Sequence, residues 1–282
     1  MSRALHVYMR WLRDRRRSTI VWSLSIAAVT VVTAAFYPSL RDAMSADPSS
    51  SAAMQSMLGL GEGIDPSSPV GFLWSLNYSN QLPWLLMALG IALGTAAIAG
   101  DEGEGTLEYL LSKPVTRTEV LLARFAGMIT ILVIASIVNL VAIWVTAPLF
   151  ELGDAVTTTA ADGSTVTQPA VTFGALFIGG LAAMAVAIGS GAVAFFVGAA
   201  TGRRGITMGI ATGYAVAGYV LYTLSNVTGD MEFLTWLSPW RWFIDDAMMV
   251  NGLTWDILWP FALAAVSLVA GWLVFVRRDL QK

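Results

Sequence analysis

The sequence predicts an all-α polytopic membrane protein with six transmembrane helices, an N-terminal amphipathic interfacial helix and both termini cytoplasmic. Six apolar runs are close to the roughly 20 helical residues that cross a hydrocarbon core of about 30 Å. The runs are continuous rather than alternating, which favours helices over a barrel. A hydrophobic content of 56% with 12% charged residues also lies outside the range of ordinary soluble domains. The predicted spans are residues 18–37, 82–100, 125–148, 171–200, 206–224 and 257–276.

The distribution of basic residues predicts the orientation of these spans. If the amino terminus is cytoplasmic, all of the 16 Lys and Arg residues except Arg41 and Arg241 lie on the cytoplasmic side. This is the bias that membrane proteins show in their cytoplasmic loops. Residues 101–124 then face the cytoplasm, and loops 38–81, 149–170 and 225–256 face outside. Frequent alanine and a preference for arginine over lysine suggest the plasma membrane of a prokaryote.

Residues 1–17 precede the first predicted span and are amphipathic. Apolar side chains recur at helical spacing, and arginines surround the opposite face. This pattern is typical of a helix in the headgroup layer whose arginines reach anionic lipid. A signal peptide is the alternative, but the following apolar run is longer than the usual 7–15 residues. The two faces consist of Leu5, Tyr8, Met9 and Leu12 against Arg3, Arg10, Arg13 and Arg17.

The first two external loops contain signals for short elements. Asp47 and Pro48 begin a helix predicted over residues 49–58, which Gly59 ends. In the second loop, Asp162-Gly163 separates two threonine-rich segments and predicts a small β-hairpin. With no cysteine and only His6 in the chain, the methionines of the first loop indicate packing rather than a metal site.

The last external segment, residues 225–256, is rich in tryptophan. Ser238-Pro239 begins a helix and Asn251-Gly252 ends one, which predicts two short helices that bend about the proline. Two interpretations remain open, an aromatic anchor at the outer membrane interface and a re-entrant or interfacial helical hairpin. The residues selected for this external hairpin are Trp236, Pro239, Trp240 and Trp242.

The cytoplasmic segment 101–124, which we call the elbow, contains signals for two short helices. Thr106 caps a helix whose Leu107, Leu110 and Leu111 share one face. Pro114 ends that helix because it lacks an N–H group. The chain then restarts with a capping box from Thr116 to Glu119, flanked by Val115 and Val120 as a hydrophobic staple. A docking surface and a plain connector are both compatible with this pattern.

The elbow resembles the cytoplasmic signature of ABC transporter permeases of the ABC-2 exporter type. The resemblance rests on ordered positions in the segment GDEGEGTLEYLLSKPVTR and extends to the order of the six spans and the late external hairpin. In that family the elbow carries the coupling helix, which docks in a groove of a separate ATPase subunit. The residues that the resemblance implies for docking are Glu102, Gly105, Thr106, Leu107, Glu108, Leu110, Leu111, Pro114 and Arg117.

Small residues recur every four positions in three predicted spans, which allows close approach of helix backbones. Gly179, Ala183, Ala187 and Gly191 in the fourth span, and Gly90 with Gly94 in the second, predict packing within the chain. The fifth span carries a further stripe and three tyrosines, and the resemblance implies a position near a dimer interface and export path. Those residues are Gly205, Gly209, Gly213, Tyr214, Tyr219 and Tyr222.

The residues also limit the source of energy. The predicted spans contain no Asp, Glu, Lys, Arg or His, which argues against a proton-coupled carrier. Neither of the two lysines, Lys113 and Lys282, lies in a P-loop. We therefore predict a permease subunit that is not an enzyme, has no cofactor of its own, and works with a second permease copy and an ABC ATPase that binds ATP and Mg. A hydrophobic or amphipathic cargo is expected, and no nucleic acid partner.

Two other functions remain open at this stage. The first is a membrane assembly or interaction protein whose elbow recruits a partner other than an ATPase. The second is an ion-coupled secondary transporter, for which charged or broken spans are expected. A membrane enzyme is set aside because the sequence shows no catalytic pair of residues.

Overall fold

The structure is a computed structural model that describes residues 3–46, 65–103, 105, 115–159, 165–168, 170–228 and 232–278. Within them, six helices are long and apolar enough to cross a membrane. This confirms the predicted all-α polytopic fold. We number these helices α1 (Arg3–Ala43), α2 (Pro69–Gly103), α3 (Arg117–Phe150), α4 (Phe173–Thr201), α5 (Arg204–Ser225) and α6 (Trp255–Arg277).

Several of these helices change geometry along their length, and short helices lie between α5 and α6. In chain order the helical segments are Arg3–Ala35, Tyr37–Ala46, Pro69–Leu73, the π-helix Trp74–Gln81, Leu82–Thr95, the π-helix Ala96–Gly100, Asp101–Gly103, Arg117–Thr146, the 3-10 helix Ala147–Phe150, Phe173–Thr201, Arg204–Thr228, Glu232–Thr235, Arg241–Ile244, Met248–Asn251, the 3-10 helix Trp255–Ile257 and Leu258–Arg277.

The two most buried helices, α2 and α4, form the centre of the bundle. Their small residues face each other. A Cβ atom built at Gly90 would lie 2.5 Å from the carbonyl oxygen of Ala187, and one at Gly94 would lie 2.2 Å from that of Gly191. The predicted intrachain role of these two stripes is therefore confirmed, because only glycine permits this separation of the backbones.

Helix α1 packs along α3 on one side of this centre. Trp11 is buried, and its ring lies directly over Gly127, where a Cβ would be 2.5 Å from the indole. Tyr8 and Thr130 are joined by a hydrogen bond of 2.9 Å between their hydroxyls. Leu5 and Met9 remain exposed on the other side. The predicted apolar face is thus divided between α3 and the surroundings of the chain.

The amphipathic segment and the first span are not separate elements. Arg3–Ala35 is one α-helix of 33 residues, about 50 Å long at 1.5 Å per residue. That length exceeds a hydrocarbon core of about 30 Å, so the arginine-rich end continues beyond the core. The location of residues 1–17 in the headgroup layer stays a prediction.

Helix α2 begins 13 residues before the predicted second span, because a start signal lies inside the predicted external loop. Ser68 caps the helix by accepting a hydrogen bond from the amide of Gly71, and Pro69 occupies its first turn, where a missing N–H costs nothing. The predicted loop 38–81 is also shortened by the helix Tyr37–Ala46. The helix predicted over residues 49–58 lies outside the described residues.

The first π-helix of α2 attaches to α1 through polar side chains. Thr30 donates a hydrogen bond to the side-chain oxygen of Asn77 at 3.3 Å, and Thr33 donates one to that of Gln81 at 2.9 Å. The hydroxyls thereby satisfy amide oxygens that the apolar bundle interior would otherwise leave unsolvated.

The predicted hairpin in the second external loop is present. Strands β1 (Val156–Thr159) and β2 (Thr165–Gln168) pair antiparallel, with Val156 opposite Gln168 and Thr159 opposite Thr165. The predicted turn residues Asp162 and Gly163 lie outside the described residues.

Candidate functional site

Within the elbow, the predicted capping box starts helix α3. The Thr116 hydroxyl accepts from the Glu119 amide at 3.1 Å, and the Thr116 amide donates to the Glu119 carboxylate at 2.8 Å. Val120 is fully buried, and Val115 packs against the core. Helix α3 therefore starts at a rigid, well-defined position.

Only three of the nine predicted docking residues can be placed, namely Glu102, Gly105 and Arg117. Gly105 has φ of 69°, and its amide donates to the Glu102 carbonyl at 3.1 Å. This left-handed conformation favours glycine and turns the chain away from the end of α2. The other six, Thr106, Leu107, Glu108, Leu110, Leu111 and Pro114, lie outside the described residues.

The Glu102 side chain is bound inside the chain. Only 6% of it is exposed, and it forms a salt bridge with Arg278 beyond the end of α6. Its carboxylate also contacts Gly202, which has a φ of 64°. A Cβ atom built at Gly202 would lie 2.5 Å from the carboxylate oxygen. Docking of Glu102 on an ATPase stays a prediction, and in the isolated chain its carboxylate is paired with Arg278. Its role here is to join α2 to α6 and to the turn between α4 and α5.

Arg117 likewise binds within the chain. Its guanidinium donates to the carbonyls of Phe275 at 3.1 Å and Arg278 at 2.5 Å. The last carbonyls of a helix have no intrahelical partner and carry partial negative charge, so a cation is stabilising there. Arg117 therefore fastens the beginning of α3 to the end of α6.

A further charged pair was not selected by sequence reasoning. Arg124 on α3 is 5% exposed and forms a salt bridge with Asp101, the residue that follows the second π-helix of α2. The same guanidinium donates to the Ala97 carbonyl. The available signal was the position of both charges at the edges of apolar runs. We call Asp101, Glu102, Arg117, Arg124 and Arg278 the elbow base.

The glycine stripe of α5 faces away from the chain. No atom of the described residues lies within 4 Å of a Cβ built at Gly205, Gly209 or Gly213. This contrasts with Gly90 and Gly94, whose Cβ positions meet backbone atoms of α4 at once. The stripe is therefore an outward surface along which another helix can approach closely.

The three tyrosines of α5 do not share that outward surface. Tyr214 donates a hydrogen bond to the Leu237 carbonyl at 3.2 Å. Tyr219 packs edge-on against Trp84 and Trp240, with ring centroids 5.5 and 5.1 Å apart, and Tyr222 is buried. These contacts are made within the chain, chiefly to the external hairpin, and a part of the tyrosines in a dimer path stays a prediction.

The external hairpin is partly a packed structure and partly an exposed one. Trp240 is fully buried, and its indole N–H donates to the Ala215 carbonyl of α5 at 3.0 Å. Pro239 is also buried and lies against Gly218, while Trp242 is nearly buried. By contrast, half of Trp236 is exposed, beneath the Arg241 guanidinium at 4.1 Å. A plain aromatic belt therefore does not describe this segment.

The helix ends of the hairpin match the sequence signals in part. Short helices lie on both sides of Pro239, and Gly252 ends the last of them with φ of 92°. There are three short helices rather than two in the described part of this segment. Burial raises the pKa of the Asp245 carboxyl, and the hydrogen bond from Tyr222 and the charge of Arg241 oppose that rise. This carboxyl ties the hairpin to α5.

Six apolar helices, a capped elbow on a charged base and an outward glycine surface define an α-helical multi-pass membrane protein of the permease class. Comparison with protein families bears this out. The model described as ABC-2 family transporter protein matches residues 6–280, and the chain belongs to this family. A search of curated proteins finds no match. Members of the family are the membrane components of ABC transport systems and are not themselves ATPases, and the family implies an ABC ATPase partner in general.

Proposed function

We propose that this chain is the permease subunit of an ABC exporter, driven by separate ATPase subunits that bind ATP and Mg. The observation that carries the proposal is the elbow, which leaves α2 and enters α3 at a base braced by buried charges. A rigid base lets a force applied to the elbow reach the spans instead of bending a loop. Leu107, Leu110 and Leu111 would fill the ATPase groove, with Glu108 at its edge.

The working unit in this proposal is a dimer of permeases, either two copies of this chain or this chain and a similar one. The outward surface at Gly205, Gly209 and Gly213 supports it, because an open glycine stripe allows the close helix contacts that drive association in membranes. Closure of the ATPase pair would move the elbows as levers and open the outer side of the dimer seam. In this proposal both termini and the elbow lie in the cytoplasm of a prokaryotic cell, on the same side as the ATPase.

A hydrophobic or amphipathic compound is the proposed cargo. Beyond Arg204 at its first position, the outward surface of α5 is uncharged, with exposed Met208, Ile210 and Val216 beside the glycines. In addition, a cavity of about 750 Å³ opens between α1 and the first π-helix of α2, which is within the usual range for small-molecule sites. Its lining is mainly apolar, with Thr33, Ser39 and Gln81 as polar exceptions.

An assembly protein remains the second candidate, because the elbow is compatible with a partner other than an ATPase. The first test is therefore a pull-down of the purified chain against the host's ATPases, comparing the wild type with the double variant Leu110→Asp plus Glu108→Arg. We expect a P-loop ATPase with the wild type and a loss of at least about tenfold in the variant, because buried apolar anchors dominate such interfaces. Mass spectrometry identifies the captured protein.

The control for this pull-down carries the same two kinds of substitution on the predicted outer side. Leu237→Asp plus Asp154→Arg changes two exposed residues and alters the net charge equally, and it should leave ATPase capture unchanged. Absence of an ATPase from the wild-type sample, with the protein stable in detergent, would favour the assembly function.

The dimer is tested by cross-linking, for which a chain without native cysteine is well suited. Cysteine introduced singly at Gly205, Gly209 or Gly213 is expected to give a covalent dimer with a short bismaleimide in native membranes, at one or more of the three positions. Val266→Cys, on the exposed side of α6, is the matched control and should stay monomeric. Equal cross-linking at Val266 and at the glycines would show random collision in place of a specific seam.

A further inference from the structure

The cytoplasmic end of α2 is a π-helical turn, Ala96–Gly100, and arginines from two other helices bind its first carbonyls. Arg15 of α1 donates to the Ala96 carbonyl at 3.3 Å. Arg124 of α3 donates to the Ala97 carbonyl. A π-turn inserts one residue into a helix and departs from the regular pattern of backbone hydrogen bonds. Inside an apolar bundle, side chains of neighbouring helices have to supply partners for carbonyls that this pattern frees.

Arg124 binds both ends of the turn. Its guanidinium contacts the Ala97 carbonyl near the start and the Asp101 carboxylate directly after the last residue. Arg124 is almost fully buried, and Asp101 is largely so. A buried guanidinium requires compensation for its lost hydration, and here the turn itself provides it. Both acceptors are contacted by the same nitrogen, Nη1, whose two N–H groups can each serve one acceptor.

The contact between Arg124 and Asp101 also affects the elbow, because of where the two residues lie in the chain. Asp101 and Arg124 are the first and last residues of the elbow, so their pair closes it at the base. Conversion of the π-turn to a regular α-helix would change the register by one residue. Everything after the turn would then rotate by about 100° and shift by about 1.5 Å along the helix. A regular α-helical form would thus be a second, discrete arrangement of this turn, and the contacts of Arg124 are those of the π form.

We propose that Arg124 is a positioning residue, which holds the turn Ala96–Gly100 in its π form and thereby sets the orientation in which the elbow meets the ATPase. The proposal rests on the proposed function for its role in coupling, although the control of the turn by Arg124 does not. Elbow movement during the ATPase cycle passes to α2 through this turn, because Asp101 directly follows it. Loss of Arg124 leaves the elbow able to bind but wrongly aimed.

The experiment measures the geometry of the purified chain and its coupling separately. One spin label is attached at Gly103→Cys, whose Cβ position is open, and the other at Val266→Cys on the exposed side of α6. The pair reports the distance from the end of α2 to α6. Labelled chains are diluted with unlabelled ones so that each distance lies within one chain. In Arg124→Gln we expect this distance to change by on the order of 5–10 Å, as a rotation of the helix surface implies.

Coupling is read from ATP hydrolysis by the reconstituted complex. In Arg124→Gln the Kd for the ATPase should remain within about threefold of the wild type, while permease-dependent hydrolysis falls roughly fivefold. A purely structural salt bridge would be restored by the charge swap Asp101→Arg plus Arg124→Asp. A carboxylate at position 124 cannot donate to the Ala97 carbonyl, so the swap should fold normally and still show the altered distance and the lost hydrolysis.

Two results would overturn the proposal, namely an unchanged label distance in Arg124→Gln, or a swap that restores both distance and hydrolysis. If Arg124→Gln does not fold, Arg124→Met takes its place, since it keeps an unbranched side chain but has no N–H donor, and a wild-type distance in it is equally decisive. Failure of the wild type to bind any ATPase would instead contradict the proposed function, and the label distance would still decide the role of Arg124.

Discussion

Replacement of Trp240 by alanine is expected to lower the free energy of unfolding by about 3–5 kcal/mol, the usual range for a buried large aromatic residue. Trp240 is 0% exposed. Its ring packs on Trp84 of α2, with centroids 4.5 Å apart, and on Tyr219 of α5. The change would also remove the hydrogen bond that the indole donates to the Ala215 carbonyl, and such bonds add to stability. The external hairpin should then detach from the bundle.

Trp255→Ala is the matched control, because the same chemical change is made in the same segment at a residue that is 85% exposed. Both variants are heated in detergent, and the fraction that stays monodisperse is followed by size-exclusion chromatography. Trp240→Ala should lose this fraction at a clearly lower temperature, and Trp255→Ala should follow the wild type. If the two variants behaved alike, Trp240 would be an interfacial anchor rather than a core residue.

Gly94→Val is expected to prevent formation of the folded bundle. A Cβ at this position would lie 2.2 Å from the Gly191 carbonyl oxygen and 3.0 Å from the Phe195 amide nitrogen. Both are backbone atoms of the central helix α4, so neither can move aside as a side-chain end does. Overpacking of a core costs about 1–3 kcal/mol even where side chains can adjust, and a forced separation of α2 from α4 should cost more.

Gly180→Val provides the comparison for this substitution. Gly180 lies on α4, and no atom of the described residues is within 4 Å of its Cβ position. The yield of monodisperse protein should fall to background for Gly94→Val and stay near the wild-type value for Gly180→Val. Normal yield from Gly94→Val would mean that α2 and α4 are not in backbone contact at this point.

Much of the fold could be predicted from sequence because its signals are local. The length of an apolar run determines a span, and the Thr116–Glu119 capping box depends on residues three positions apart. The same holds for the hairpin of β1 and β2, whose strands are joined by a short turn. The start of α2 was missed because the polar residues around Asn77 and Gln81 read as a loop, although their partners on α1 make them part of a helix.

The candidate site depended more on contacts between distant residues. Sequence reasoning assigned Glu102 to the ATPase, whereas its partner Arg278 is 176 positions away. The spacing of small residues is the same in α2 and α5, and only the resemblance assigned the α5 stripe to an interface. The packing shows the difference directly, because Gly94 meets α4 and Gly209 faces outward. Sequence reasoning also grouped the tryptophans of the last external segment, of which Trp240 is core and Trp255 is surface.

The sequence by itself therefore determined that this protein is a bundle of six membrane helices with a capped elbow of the ABC-2 type. The hydropathy of a span and the capping of a helix depend on at most about twenty neighbouring residues. Both signals can therefore be recognised within a single segment of the chain. Only the tertiary structure decided which charged side chains form salt bridges within the chain and which glycines face away from it. Such choices depend on which helices are neighbours and in what register, and no local pattern specifies that.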